Sequence, residues 1–89
     1  MEAIKDAGLV CPDDISVVGI DDVRDSAYSN PSLTTFSVPK YDLGKTAVSI
    51  LHNLTQDRSI PPVRTVLLGN ILVRQSAAPP REKPLQDRL

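Results

Sequence analysis

The 89-residue sequence has no tryptophan and a single phenylalanine, and its aromatic content is 3%. Any core must therefore be assembled from Val, Ile, Leu and Ala, a composition suited to parallel strands flanked by helices. Cys11 is the lone cysteine, which excludes an internal disulfide and leaves no cysteine-based metal site. Nowhere does the chain approach the ~20 consecutive apolar residues of a membrane helix. The opening MEAIKDAGLV lacks the apolar run of a signal peptide. Neither charge is in excess: ten basic against eleven acidic residues leave −1, with a pI near 5.6. That balance gives no electrostatic footprint for nucleic acid. These absences describe a non-membrane chain with a cytoplasmic default location. A chain this short buries only roughly 60–65% of its unfolded surface, so its stability margin is thin.

What is present is ordered. Ala3, Ile4 and Ala7 mark the last turns of an amphipathic helix that Gly8 stops. No capping residue precedes it, so the chain reads as beginning inside an element, as a fragment or truncated product would. Pro12, Asp13 and Asp14 form a turn. Ile15 to Ile20 follows as a nearly continuous apolar run, the pattern of a strand buried on both faces. Asp21 and Asp22 close that strand, at the end where open α/β sheets bind ligands. Asp22 is placed to cap a short helix from Val23 to about Tyr28, ended by Ser29, Asn30 and Pro31.

Leu33 to Val38 reads as a short strand ending at Pro39. From Tyr41 to about Gln56, Leu43, Ala47, Val48, Leu51 and Leu54 share one face of the best helix in the chain, and the prolines of Asp57 to Pro62 end it. Val63 to Leu68 and Ile71 to Gln75 are strand-like runs on either side of Gly69-Asn70, and local rules favour a tight hairpin there. Ala77 to Leu89, rich in proline and charge, reads as a mobile tail after a domain of residues 1–76. There is no internal repeat.

Chemistry-bearing residues are few. Adjacent acids on a strand point to opposite faces, so Asp21 and Asp22 do not flank one glycosidic bond. No metal-ligand spacing or catalytic set is present, and no cofactor is implied, so the chain reads as a non-enzyme. His52 falls on the polar face of the long helix and reads as a surface histidine. On residue chemistry alone, Asp21 fits either a solvated turn acid, the commoner occupant of such turns, or an acceptor for ligand hydroxyls.

Four segments in order carry a resemblance: AGLVCPDDISVVGIDD at Ala7 to Asp22, AYSNPSLTT at Ala27 to Thr35, VPKYDLGKTAVSIL at Val38 to Leu51, and LVRQSAAPP at Leu72 to Pro80. Together they resemble the last part of the effector-binding region of LacI/GalR (lactose-repressor-type) transcription regulators. The resemblance implies part of a two-lobed, type I periplasmic-binding-protein-like α/β fold that closes on a small sugar or nucleobase, with operator DNA bound only through an N-terminal helix-turn-helix absent from these residues. It makes Asp21 a ligand contact. Ile20 stands where the family usually carries an aromatic ring against the ligand, a departure that bears on effector class. Cys11 takes a position usually aliphatic, as a small buried hydrophobe. Asp25, Ala27, Tyr28 and Pro31 resemble part of a homodimer interface. Thr34, Thr35 and Pro39 fall where the family's chain crosses between lobes, returning near Leu67 to Gly69. That topology conflicts with the local hairpin reading, because it does not require the two runs to pair. A solute-binding transport protein of the same fold and a truncated, interaction-only product are the alternative readings.

Overall fold

The computed structural model describes residues 1–81. They divide into two compact units: Met1–Ser37 with the chain from Asn70 onward, and Val38–Gly69. The sequence order of elements is α1 (Glu2–Asp6), β1 (Val18–Ile20), a 3-10 turn (Arg24–Ala27), β2 (Thr34–Ser37), α2 (Lys40–Gln56) and β3 (Asn70–Leu72).

In the first unit α1 ends as the sequence predicts. Gly8 takes φ +75°, the left-handed position a helix stop requires. Its amide donates to Lys5 O at 2.9 Å and that of Leu9 to Ile4 O at 3.0 Å, the paired bonds that satisfy a helix's last carbonyls. The Pro12–Asp14 turn is also where it was expected. Asp14 locks it, its Oδ2 accepting from the Val10 amide at 2.7 Å while its own amide donates to Val10 O at 2.7 Å.

The sheet runs β1-β2-β3. β1 and β2 pair in parallel, Ile20 opposite Phe36, and residues 21–33 supply the long connection a parallel pair needs. β3 is antiparallel to β2, with Ile71 opposite Phe36. The hairpin reading is therefore overturned. Ile71 pairs with a strand far earlier in the chain, and residues 63–68 form no strand. A central strand flanked by partners on both edges satisfies more backbone groups than an isolated two-stranded ribbon, which is why the long-range pairing wins over the local turn signal.

Among the described residues no hydrophobic side chain is fully buried. The residues that are buried are Ser26, Thr34, Thr35 and Ser76, the last two with no exposed surface. Ser76 joins the segments. Its hydroxyl accepts from the Thr34 amide at 2.8 Å and donates to Val17 O at 2.6 Å. Its backbone donates to Ser32 O at 2.9 Å and accepts from the Val17 amide at 2.8 Å. Just beyond it, Ala78 N–H donates to Ser16 Oγ at 3.0 Å, and Arg81 pairs with Asp14. Ala78 and Arg81, within the tail expected from Ala77, thus bond to residues just before β1. The rest of that expected tail lies outside the described residues.

The expectation that β1 is buried on both faces also fails. Val18 and Ile20 are exposed, Ile20 at 74%. Residues in register point to the same side of a sheet, so Val18, Ile20, Phe36 and Ile71 make an apolar face that is largely exposed among the described residues. The opposite side is tight at Gly19, where a Cβ would come within 2.9 Å of Leu33 Cδ2.

The second unit contains α2 and the extended run after it. α2 matches its predicted span to within a residue, and Asp57 ends it in an extended conformation. Asp57 Oδ1 accepts from the Ser59 hydroxyl at 2.6 Å and the Ser59 amide at 2.9 Å, bonds that lower its pKa. The cavity-lining side of α2 overlaps the expected stripe at Leu43 and Ala47. These two, with Thr46 and Ile50, line a cavity of about 180 Å³ with Val63, Thr65 and Leu67; Thr46 and Ile50 are half-buried, whereas Leu43, Ala47, Val48 and Leu51 are exposed. Spacings of three and four from Leu43 give one narrow face, and Val48 and Leu51 lie round its edge.

Two outcomes follow. Ser76→Ala orphans the Thr34 amide and the Val17 carbonyl, each costing about 1–3 kcal/mol. It should lower the stability of the chain by about 2–4 kcal/mol in urea denaturation, while Ser29→Ala should stay within about 1 kcal/mol. The uncovered apolar face should also drive association. Light scattering is expected to show a dimer or larger species, and a clean folded monomer would contradict this.

Candidate functional site

β1 ends at Ile20, and the backbone then turns through two consecutive left-handed residues, Asp21 at φ +86° and Asp22 at φ +46°. Asp and Asn enter this region more readily than other non-glycine residues because their short polar side chains bond locally. Two in succession still need outside support. β2 supplies it: the Asp21 amide donates to Phe36 O at 2.9 Å and the Asp22 amide to Thr35 Oγ1 at 3.2 Å. The β1–β2 ladder thus runs straight into the turn that carries the two acids.

The acids have different surroundings. Asp21 is exposed, and among the described residues its carboxylate has no side-chain partner. Asp22 is half-buried, and its Oδ1 meets Arg74 Nη1 at 2.8 Å. The same Nη1 donates to Leu33 O at 2.9 Å, and the Arg74 amide donates to Thr34 Oγ1 at 2.8 Å.

This corrects the reading of Asp22 as a helix cap. Val23 occupies the cap position of the Arg24–Ala27 turn, with no side-chain cap bond. Asp22, one residue earlier, is drawn toward Arg74 instead, because a guanidinium is a stronger partner for a carboxylate than a free backbone amide. Sequence reasoning missed Arg74, whose one signal was its place within the LVRQSAAPP motif.

Ile20 stands beside Asp21 and is largely exposed, next to Phe36 across the ladder. An aliphatic and an aromatic side chain therefore flank the strand end. Asp25, Ala27 and Tyr28 are exposed, Tyr28 at 80%, and Pro31 is half-buried. Thr34 and Thr35 lie inside β2 in the first unit. The division between units falls at Ser37–Val38 and Gly69–Asn70, with Pro39 just beyond the first.

Cys11 is half-buried, its thiol donating to Ser76 O at 3.4 Å. With Met1, Lys5, Leu9, Val10, Asn30 and Pro31 it lines a cavity of about 240 Å³ that does not include Asp21. Among the described residues no cluster of His, Cys, Asp or Glu could hold a metal ion, and no helix is long and apolar enough to cross a membrane.

A profile described as the periplasmic binding protein-like domain matches residues 1–77. The HTH-type transcriptional repressor PurR of Aliivibrio fischeri is 49% identical over 55 residues, which are 62% of this chain and 16% of that protein. The chain belongs to the periplasmic-binding-protein-like domain family, on its LacI/GalR branch. PurR of Escherichia fergusonii is 37% identical over 76 residues, covering 85% of this chain and 22% of the relative. The chain therefore spans about a fifth of the length of these LacI/GalR relatives. Solved LacI-family structures superpose well. A dimeric Lac repressor with an 11-residue C-terminal deletion gives a TM-score of 0.83 at 36% identity, covering 91% of this chain and 29% of that one. A LacI-family regulator from Enterococcus faecium with bound ribose gives 0.79 at 29% identity, covering 90% and 30%.

The left-handed turn makes a stability prediction. Asp21→Gly should be neutral or mildly stabilising, whereas Asp21→Val, a β-branched residue forced to positive φ, should cost about 1–2 kcal/mol. Thermal melts of the two variants check this, and equal melting temperatures would contradict it.

Proposed function

We propose that this chain is part of the effector-sensing region of a LacI/GalR-type transcriptional regulator, with Asp21 as an acceptor for the hydroxyls of a sugar-type ligand. The observation that carries this is the state of Asp21: exposed at the carboxyl end of a parallel strand, held in a pinned turn, its carboxylate unengaged among the described residues. A carboxylate so placed offers two acceptor oxygens, which suit a vicinal diol. Ile20 and Phe36 beside it offer apolar surface, the usual complement to a few orienting polar groups. The ribose-bound family structures support a sugar as the ligand class.

In this reading Asp21 binds and no bond is made or broken, so the protein acts by binding rather than catalysis. The relatives are named as repressors, which favours a cytoplasmic regulator over a transport protein of the same fold. A charge of −1 gives these residues no electrostatic claim on operator DNA, so operator contact belongs to a helix-turn-helix outside them. The exposed Asp25, Ala27 and Tyr28 with Pro31 form the proposed homodimer surface, the kind of patch where an accessible tyrosine is enriched. The Lac repressor structures described as dimers support that partner.

Calorimetric titration of ribose, galactose and adenine into the protein and its Asp21→Asn variant tests the reading. Asparagine tolerates the left-handed backbone while removing the charge. A hydrogen bond to a charged group contributes about 1.5–3 kcal/mol, so sugar affinity should fall by roughly tenfold or more. Unchanged affinity would remove Asp21 from the site.

A further inference from the structure

We infer that Arg74 is a positioning residue for the ligand-facing carboxylate, acting through Asp22 to hold the left-handed turn that presents Asp21. The inference rests on the reading of Asp21 given above. It begins from an asymmetry in how the participants are anchored. Arg74 is fixed without Asp22: its amide donates to Thr34 Oγ1 at 2.8 Å and its Nη1 to Leu33 O at 2.9 Å, both acceptors belonging to β2 or the residue before it. Asp22 has no such independence. Its amide reaches Thr35 Oγ1 only at 3.2 Å, and its backbone sits at φ +46°.

The 2.8 Å ion pair therefore ties the less anchored group to the better anchored one. Both side chains are mostly shielded, at 20% and 24% exposure, so water screens the pair less than it would an open surface pair. Nη1 carries two hydrogens, one for Leu33 O and one for Asp22 Oδ1, so both bonds form at once.

The consequence reaches Asp21 through the peptide joining the two acids. Asp21 and Asp22 share that plane, and its tilt sets the direction in which the Asp21 side chain leaves the strand. The Asp21 amide is held by Phe36 O on one side and the Asp22 carboxylate by Arg74 on the other. A turn clamped at both ends presents Asp21 in one orientation before any ligand arrives. Ordering it in advance removes part of the entropy cost of binding. Without Arg74 the left-handed residues relax toward ordinary backbone and the carboxylate swings.

The test uses the full chain without ligand. Nuclear magnetic resonance reads amide exchange and the HN–Hα coupling at residues 21 and 22 in the wild type, Arg74→Met, Asp22→Asn and the double variant. Methionine keeps the apolar stem and deletes the charge. Exchange at Asp21 and Asp22 should rise roughly tenfold or more in Arg74→Met, while the Val17 and Ser76 amides stay within about twofold. The double variant should match the single ones, because both delete the same interaction. Unchanged exchange at 21 and 22, equal loosening at Val17 and Ser76, or additive effects would overturn the inference. Should Arg74→Met fail to fold, Asp22→Asn decides alone, since it leaves Arg74 anchored to Leu33 and Thr34. None of these readouts involves a sugar, so a clamped turn in a protein whose ribose affinity ignores Asp21→Asn would refute the ligand role separately.

Discussion

The first unit depends on Ser76. A side chain of one hydroxyl, with no exposed surface, bridges the segment leading into β1 and the first residue of β2 while its backbone bonds both neighbouring segments. Most small domains are organised by buried aliphatic groups, but here the fully buried residues, among those described, are Ser and Thr. Buried polar groups cost free energy unless satisfied, and at Ser76 the hydroxyl both donates and accepts while the amide and carbonyl each have a partner. A satisfied polar junction of this kind specifies one register, because sliding any strand by a residue would orphan several groups at once.

Register then determines the site. With Val17 and Thr34 fixed across Ser76, Ile20 falls opposite Phe36 and the next amide, that of Asp21, lands on Phe36 O. The strand has to end there, and the left-handed turn delivers one acid to solvent and the other to Arg74. The sequence separates the two adjacent carboxylates as a ligand contact and a helix cap. Their roles separate because one faces a guanidinium held by β2 and the other faces open space.

How much of this could be read from the residues depends on range. α2 was legible nearly to the residue because its determinants are local: apolar spacing from Leu43 onward and prolines after Asp57. The stop at Gly8 and the strand at Thr34–Ser37 are of the same kind. The pairing of β3 with β2, the closure of Ser76 on Val17 and Thr34, and the partner of Asp22 are all long-range, and no periodicity encodes them. The local hairpin signal at Gly69-Asn70 misled for that reason. The apolar run at Ile15–Ile20 marked a strand, observed at Val18–Ile20, but not its exposure, because what surrounds a strand is set by distant segments. Asp21 was found as a strand-end acid, while Arg74 carried no signal of its own beyond a motif.

The family assignment explains the apolar face without being explained by it. Strands of this fold are sandwiched between helices, and the chain matches about a fifth of the length of its relatives. Val18, Ile20, Phe36 and Ile71 thus show the composition of a sheet interior while standing exposed, whereas the strand end keeps its polar geometry through Ser76, Thr35 and Arg74.

The central claim is that the strand end at Asp21 is where a ligand meets this chain. Residue-by-residue chemical-shift mapping during a ribose titration tests it most directly. The account predicts the largest saturable shifts at Ile20, Asp21, Asp22 and Phe36. Shifts centred instead on the cavity at Lys5, Cys11 and Asn30, or none that saturate at Asp21, would contradict it.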